Sequence, residues 1–173
     1  MVEIVQEGNK TLREIAKEVP VSRIKSDEIQ KILKDMNEAL DSQNDGVAIA
    51  APQIGVSLRI FIVSGKIFDK EFMDGSSNFQ SIKTHKNLCF INPIITKISK
   101  DKKIMDEGCL SVRPIYGKVR RATRATAEAY NEKGEKFKMN GSGLLAHIFQ
   151  HETDHLEGIL FTDKAKDLRE ILL

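Results

Sequence analysis

The sequence predicts a fold of helices around a β-rich middle, and three observations carry that prediction. Apolar residues recur at helical spacing between Ile29 and Leu40. From Leu58 to Met139 the pattern turns β-rich, with short apolar runs and stretches that alternate at period two. A second apolar-faced segment begins at Leu144, after Gly141-Ser142-Gly143, and stops at Gly158, where a helix C-terminus favours glycine. Residues 1–173 are most simply one domain with one core.

Taken in order, Leu12, Ile15, Ala16 and Val19 fit one face of a short helix that Pro20 ends. The next helix has Ser26 as its cap and Asp27 and Glu28 in its first turn. Ile29, Ile32, Leu33, Met36 and Leu40 form its apolar face, and the polar run from Asp41 to Gly46 ends it. The stretch from Gly46 to Gly55 is small and apolar, with Gln53 as its one polar side chain. It suits either a tightly packed turn or a close approach of backbone to a ligand. Leu58 to Val63 reads as a buried strand. Residues 64–87 are polar and predict a hairpin excursion or a mobile segment, with His85 solvated.

Leu88 to Ile98 resumes strand character, Pro93 marking an edge or a bend and Cys89 a small buried hydrophobe. Val119 to Tyr130 alternates through Ala125, Ala127 and Ala129, turns at Asn131 to Gly134, and alternates again through Phe137 and Met139, which predicts a hairpin. Arg120, Arg121 and Arg124 read as a solvated face, or as one group greeting an anionic substrate end. Ser142 is the expected cap of the following helix, and Asp163 to Leu173 the site of one or two helical turns.

Composition excludes several classes of protein. Hydrophobic residues make up 40% and charged residues 30%, which argues against disorder. A net charge of +2, with lysines scattered among acids, predicts no direct nucleic-acid binding. No apolar run approaches the roughly 20 residues of a membrane helix. The N-terminus lacks an apolar run after a basic start, so a signal peptide is not expected. A reducing cytoplasm follows, in which Cys89 and Cys109 serve better as packing or metal-binding thiols than as a disulfide.

Within the second helix the stretch from His147 to Gly158 reads HIFQHETDHLEG and contains His-Glu-x-x-His. His151 and His155 lie one turn apart on one face and can both reach one metal ion. Glu152 stands beside the first and can act on water at the ion. A third ligand must come from elsewhere. His147 and His155 are separated by about 12 Å along the axis, too far for bonds of about 2 Å to one ion. Among histidines and glutamates, only Glu157 and Glu170 follow His155, and Glu157 is too near in sequence to close the site; Cys109, at a turn or strand end in EGCLSV, is the best candidate.

GVAIAAPQIG, then EGCLSV, then QHETDHLEG, in this order, closely resemble the peptide deformylase family. The resemblance spans nearly the whole chain. It implies an α+β fold with antiparallel β-sheets around a central helix bearing the two histidines. It also implies hydrolytic removal of the formyl group from formyl-methionine of nascent polypeptides, releasing formate. Cys109, His151 and His155 would hold one divalent metal, Fe²⁺ expected, with Zn²⁺, Ni²⁺ or Co²⁺ able to use the same ligands. Glu152 would move the proton, and the Gln53 amide with the Leu110 N–H would hold the oxyanion. Val47, Ala48, Ile49, Glu107, Gly108, Leu144, His147 and Ile148 would line the peptide cleft. Some bacterial members reach the ribosome through a C-terminal helix, a partner left open here.

Four positions depart from the family pattern. Ala48 and Ile49 stand where glycine and leucine are usual, so the cleft is expected to be tighter. Arg113 stands in place of a proline, which alters the turn at the cleft rim. His147 replaces an apolar residue or arginine, and either borders the pocket for the first side chain or packs under the sheet. A metallopeptidase with the same helix would need a ligand other than Cys109. A non-catalytic relative would have lost a ligand or Glu152.

Overall fold

A computed structural model describes residues 2–69 and 85–171. Helix α1, Asp27–Asp41, starts where expected, with the Ser26 side chain accepting from the Ile29 N–H. Strands β1, Ala48–Ala50, and β2, Ile60–Val63, follow. They join β3, Leu88–Ile98, β6, Arg124–Tyr130, and β7, Lys136–Ser142, in a five-stranded antiparallel sheet of order β1-β2-β3-β6-β7. Strands β4, Lys102–Gly108, β5, Ile115–Ala122, and β8, Lys166–Glu170, form a second antiparallel sheet of order β4-β5-β8. Helix α2, Leu144–Leu156, carries His151, Glu152 and His155.

Period-two alternation decides which helix each strand residue meets. Ala48, Ala50, Phe61, Val63, Phe90, Ala125, Ala127 and Ala129 pack with Ala146, Phe149 and Leu156 of α2. The residues between them, Ile49, Ile60, Ile62, Cys89 and Ile91, pack with Leu33, Met36 and Leu40 of α1. The alanines of β6 let α2 lie close to the sheet. Phe61, Phe90 and Phe149 fill the space beside them, the first two stacked at 4.6 Å between centroids. A third cluster, Leu12, Val112, Val119, Leu160 and Phe161, underlies the second sheet.

Helix α2 ends in a glycine-terminated C-cap. Gly158 has φ +70°, its N–H donates to His155 O at 3.2 Å, and the Ile159 N–H donates to Asp154 O at 2.9 Å. The helix start differs from expectation. Ser142 belongs to β7, and the cap position is Gly143, at φ +54°, with no side-chain cap bond. The abrupt strand-to-helix turn needs a left-handed φ there, which glycine adopts without strain.

Two further expectations are corrected, and a third is located. Residues 12–19 form no helix beyond a 3-10 turn at Lys10–Arg13, and Ile15 is 70% exposed. Leu12, Ala16 and Val19 are buried, but each joins a different cluster, so their helical spacing was coincidental. Pro93 sits at a bend, as one of its two readings has it, just past the last residue paired with β2: that pairing stops at Ile91, and the register with β6 breaks between Ile91 and Ile94. Asn92, at φ +51°, accepts from the Val19 N–H and donates to Val19 O, which fixes that bend. Among the described residues the tail forms no helical turn after Asp163. Instead, β8 pairs with the free edge of β5 and satisfies its backbone groups. Most of the excursion expected within 64–87 lies outside the described residues; His85 is exposed and bonds Asp69.

Candidate metal centre and cleft

The end of β4 and the inner face of α2 bring Cys109, His151 and His155 together. One ligand atom from each lies within 4.8 Å of the other two. Cys109 Sγ is 3.2 Å from His155 Nε2. A soft sulfur and two imidazole nitrogens so clustered fit a transition-metal ion of tetrahedral preference, with one position left for water or substrate. Cys89 is remote from this chemistry: it packs in the α1 core, where burial pushes its thiol up to about 12.

Glu107 is 5% exposed and binds the site from behind. Its Oε1 receives His151 Nδ1 and Arg121 Nη2, the latter at 2.7 Å. Its Oε2 receives His147 Nε2 and, at 3.1 Å, Arg121 Nε. Burial would push this carboxyl up, but the bonds from His147, His151 and Arg121 outweigh it and hold Glu107 well below the usual carboxylate range. Burial likewise lowers His151, yet its bonds to Cys109 and Glu107 hold it well above the ordinary imidazole value. His155, buried beside the His151 charge, is pushed well below that value. The Nδ1 bond to Glu107 leaves Nε2 as the His151 nitrogen free to meet an ion.

Glu152 is 3% exposed, and its Oε2 has no hydrogen-bond partner among the described residues. Burial pushes its carboxyl up to about 7. Such a group is poised to trade protons near neutrality.

Gln53 is 1% exposed and follows β1 in a 3-10 turn, Ala51–Ile54. Its Oε1 accepts from the Ala50 N–H at 2.8 Å. Its Nε2 donates to Ser111 Oγ at 3.1 Å and lies 3.5 Å from Cys109 Sγ. The amide orientation is therefore fixed, and an N–H faces the metal-site side. Leu110 and Gln53 border the same cleft as His151 and Glu152.

That cleft has a volume of about 210 Å³ and is lined in part by Val47, Ala48, Glu107, Gly108, Leu144, His147 and Ile148. Ile49 differs: its side chain is fully buried on the α1 side of the sheet, because neighbours on a strand face opposite ways. Gly108 is forced by packing. A Cβ there would meet the Tyr116 ring at 2.5 Å.

Several contributors escaped the sequence reading. Arg121 is 4% exposed, not part of a solvated face; its neighbours Arg120 and Arg124 are exposed. It clamps Glu107 and donates to Asp154 on α2 at 2.6 Å, tying the second sheet to the helix. The available signal was alternation, since Arg121 shares a face with the buried Val119. Ser111, which orients Gln53, carried no such signal.

Arg113 reaches across the rim to Asp45 Oδ1 at 2.7 Å and Gln43 Oε1 at 3.4 Å. It joins the two cleft walls by a half-exposed pair, so Arg113→Ala should change stability by less than about 1 kcal/mol. Its expected effect is on KM for peptides that extend past the first residue. Unchanged KM across a length series would remove Arg113 from the cleft rim's function.

Comparison with known proteins bears on this geometry. A family model described as polypeptide deformylase matches residues 1–170. A peptide deformylase from Desulfitobacterium hafniense is 42% identical over 165 residues, covering 95% of this chain and 94% of that protein. One from Fusobacterium nucleatum is 39% identical over 166 residues, covering 96% of this chain and 84% of that protein. Among solved structures, a Met-Ala-Ser-bound peptide deformylase from Acinetobacter baumannii has a TM-score of 0.81 at 30% identity, covering 95% of this chain and 98% of that one. A peptide deformylase from Synechococcus elongatus in complex with actinonin has a TM-score of 0.78 at 31% identity, covering 96% of this chain and 79% of that one.

Proposed function

Because this chain belongs to the polypeptide deformylase family, it is a metal-dependent hydrolase that removes N-terminal formyl groups from nascent polypeptides, and we propose which residues do so. Cys109, His151 and His155 hold the ion, and the observation that carries this assignment is the clustering of their ligand atoms, with Cys109 and His151 lining the same cleft as Glu152 and Gln53. The ion, when bound, supplies Lewis-acid polarisation and lowers the pKa of water. Iron(II) is the expected ion. Zn²⁺, Ni²⁺ and Co²⁺ suit the same donors, which do not by themselves select among them.

Glu152 takes the proton from the attacking water and returns it to the leaving amine, so formate and a free N-terminus result. Its burial keeps that proton from bulk solvent. Negative charge develops on the formyl oxygen, and the Gln53 Nε2–H with the Leu110 N–H receive it. The bond from Ala50 keeps the Gln53 amide from turning its oxygen toward this charge. Glu107 acts behind the centre, orienting His151, rather than as a substrate contact, because His147, His151 and Arg121 occupy its oxygens. Val47, Ala48, Gly108, Leu144, His147 and Ile148 shape the pocket for the formyl-methionyl end. The Met-Ala-Ser peptide bound by the Acinetobacter relative supports that use of the cleft.

We read residues 1–173 as one catalytic domain, with α2 as its central element. No helix of the described residues is long and apolar enough to cross a membrane. A reducing cytoplasm suits two free thiols. Among the described residues the chain after α2 forms strand β8.

Anaerobic purification, metal analysis and formate release from a formyl-methionyl peptide test the reading together. Near-stoichiometric metal and formate release are expected. Cleavage of an unformylated peptide without formate release would point to a peptidase. Gln53→Glu keeps the Ala50 bond but loses the N–H donor, and kcat should fall by about 10²–10³. A variant as fast as wild type would free Gln53 from the oxyanion role.

A further inference from the structure

His147 is 6% exposed, and both of its ring nitrogens have neighbours. Nε2 lies 2.5 Å from Glu107 Oε2, and Nδ1 lies 3.3 Å from Met105 Sδ. A thioether is a weak acceptor and a carboxylate a strong one, so Nε2 carries the donated proton. His147 stands one turn before His151 on α2, and both rings reach the same carboxylate. Each Glu107 oxygen thus receives one imidazole and one guanidinium donor.

The arrangement separates two roles for the position. A side chain that only walled the cleft would need no polar atom, and a buried ring nitrogen is costly unless bonded. Here the ring borders the cleft and also bonds Glu107 on the side opposite His151. A carboxylate free to rotate would offer His151 a poorly aimed acceptor. Arg121 approaches both oxygens from one side, with its Nε bond the longer at 3.1 Å. His147 supplies the second restraint on Oε2.

We propose that His147 is a positioning residue for the metal ligand His151: it pins Glu107 Oε2, so that Oε1 holds the Nδ1 proton and the ring plane of His151. The inference rests on the assignment of Cys109, His151 and His155 as ligands. Outer partners of metal-bound histidines typically change metal affinity by about 10–100-fold. His147 acts through one intervening carboxylate that keeps Arg121, so about a tenfold effect is expected.

The test compares wild type, His147→Ile and His147→Gln after anaerobic loading with Co²⁺. Three readouts are taken: the visible absorption of the bound ion, its release rate to excess chelator, and kcat and KM separately. Isoleucine removes the donor and should speed release about tenfold, alter the Co²⁺ band and lower kcat. Glutamine offers an amide N–H near the Nε2 position and should restore release to within about threefold of wild type. Melting of the metal-free proteins provides the control for folding, and His147→Phe replaces the isoleucine variant if that one does not fold.

Release at the wild-type rate from the isoleucine or phenylalanine variant overturns the proposal. So does a change confined to KM, which would leave His147 as a pocket wall, or a glutamine variant no better than isoleucine. Failure of the wild-type protein to take up Co²⁺ would instead overturn the ligand assignment itself.

Discussion

Glu152→Gln is expected to keep its metal and to lose formate release by about 10²–10⁴-fold, the usual scale for a positioned acid–base group. The substitution preserves the shape of a side chain that is 3% exposed on α2, and none of the three clustered ligand atoms is touched. What it removes is the site where the proton rests between water and leaving amine. Stability should move the other way. Burial raises the folded-state pKa of Glu152 from 4.5 to about 7. A raised carboxyl pKa means that the folded state binds the proton more tightly. Its contribution to stability is full below pH 4.5 and is lost as pH rises toward 7. Glutamine has no such titration. In the metal-free proteins, the variant's melting midpoint should therefore gain on wild type across that interval and hold the gain above it. A pH-independent gap would show that Glu152 does not experience the burial inferred here. Retained activity would remove it from proton transfer.

Cys109→Ala should release the metal, and activity should disappear with it, by about 10³-fold or more given the several kcal/mol that a Lewis-acid ion contributes. Two imidazoles would remain from a set of three ligands. Burial and the neighbouring His151 charge hold His155 neutral, while the His151 ring is held protonated by its bonds to Glu107 and Cys109. Metal binding must displace the proton on the Cys109 side and leave the one on Glu107, and without the thiolate less binding energy is available to do so. The fold itself should survive, because Cys109 is half-buried at a strand end, at the margin of the third cluster. Metal content after dialysis and the melting midpoint of the metal-free protein separate the two effects. Stoichiometric metal with intact activity in the variant would refute the ligand assignment.

The sequence by itself determined the local elements whose causes are local. Ser26 with its acidic first turn, the i, i+3, i+4 apolar stripe of α1, the alternating alanines of β6 and Gly158 after α2 each act within a few residues. His151, Glu152 and His155 were legible for the same reason: helical geometry alone puts the two histidines on one face. Cys109 was reached by elimination and by resemblance.

Only the tertiary structure decided what depends on chain segments far apart in sequence. Arg121 looked like one of three surface arginines, yet β5 aims it inward at Glu107 and at Asp154 of α2. Glu107 looked like a cleft residue and proved to be the shared acceptor of two histidines and an arginine. The apolar spacing of Leu12, Ala16 and Val19 suggested a helix because three separate clusters happened to claim residues at that interval. The tail became β8 because β5 offered an unpaired edge, a demand that no residue in the tail announces. His147 belongs with these. Its spacing excluded it as a ligand, but its partner lies forty residues away, so only the packing of β4 against α2 could give it a role.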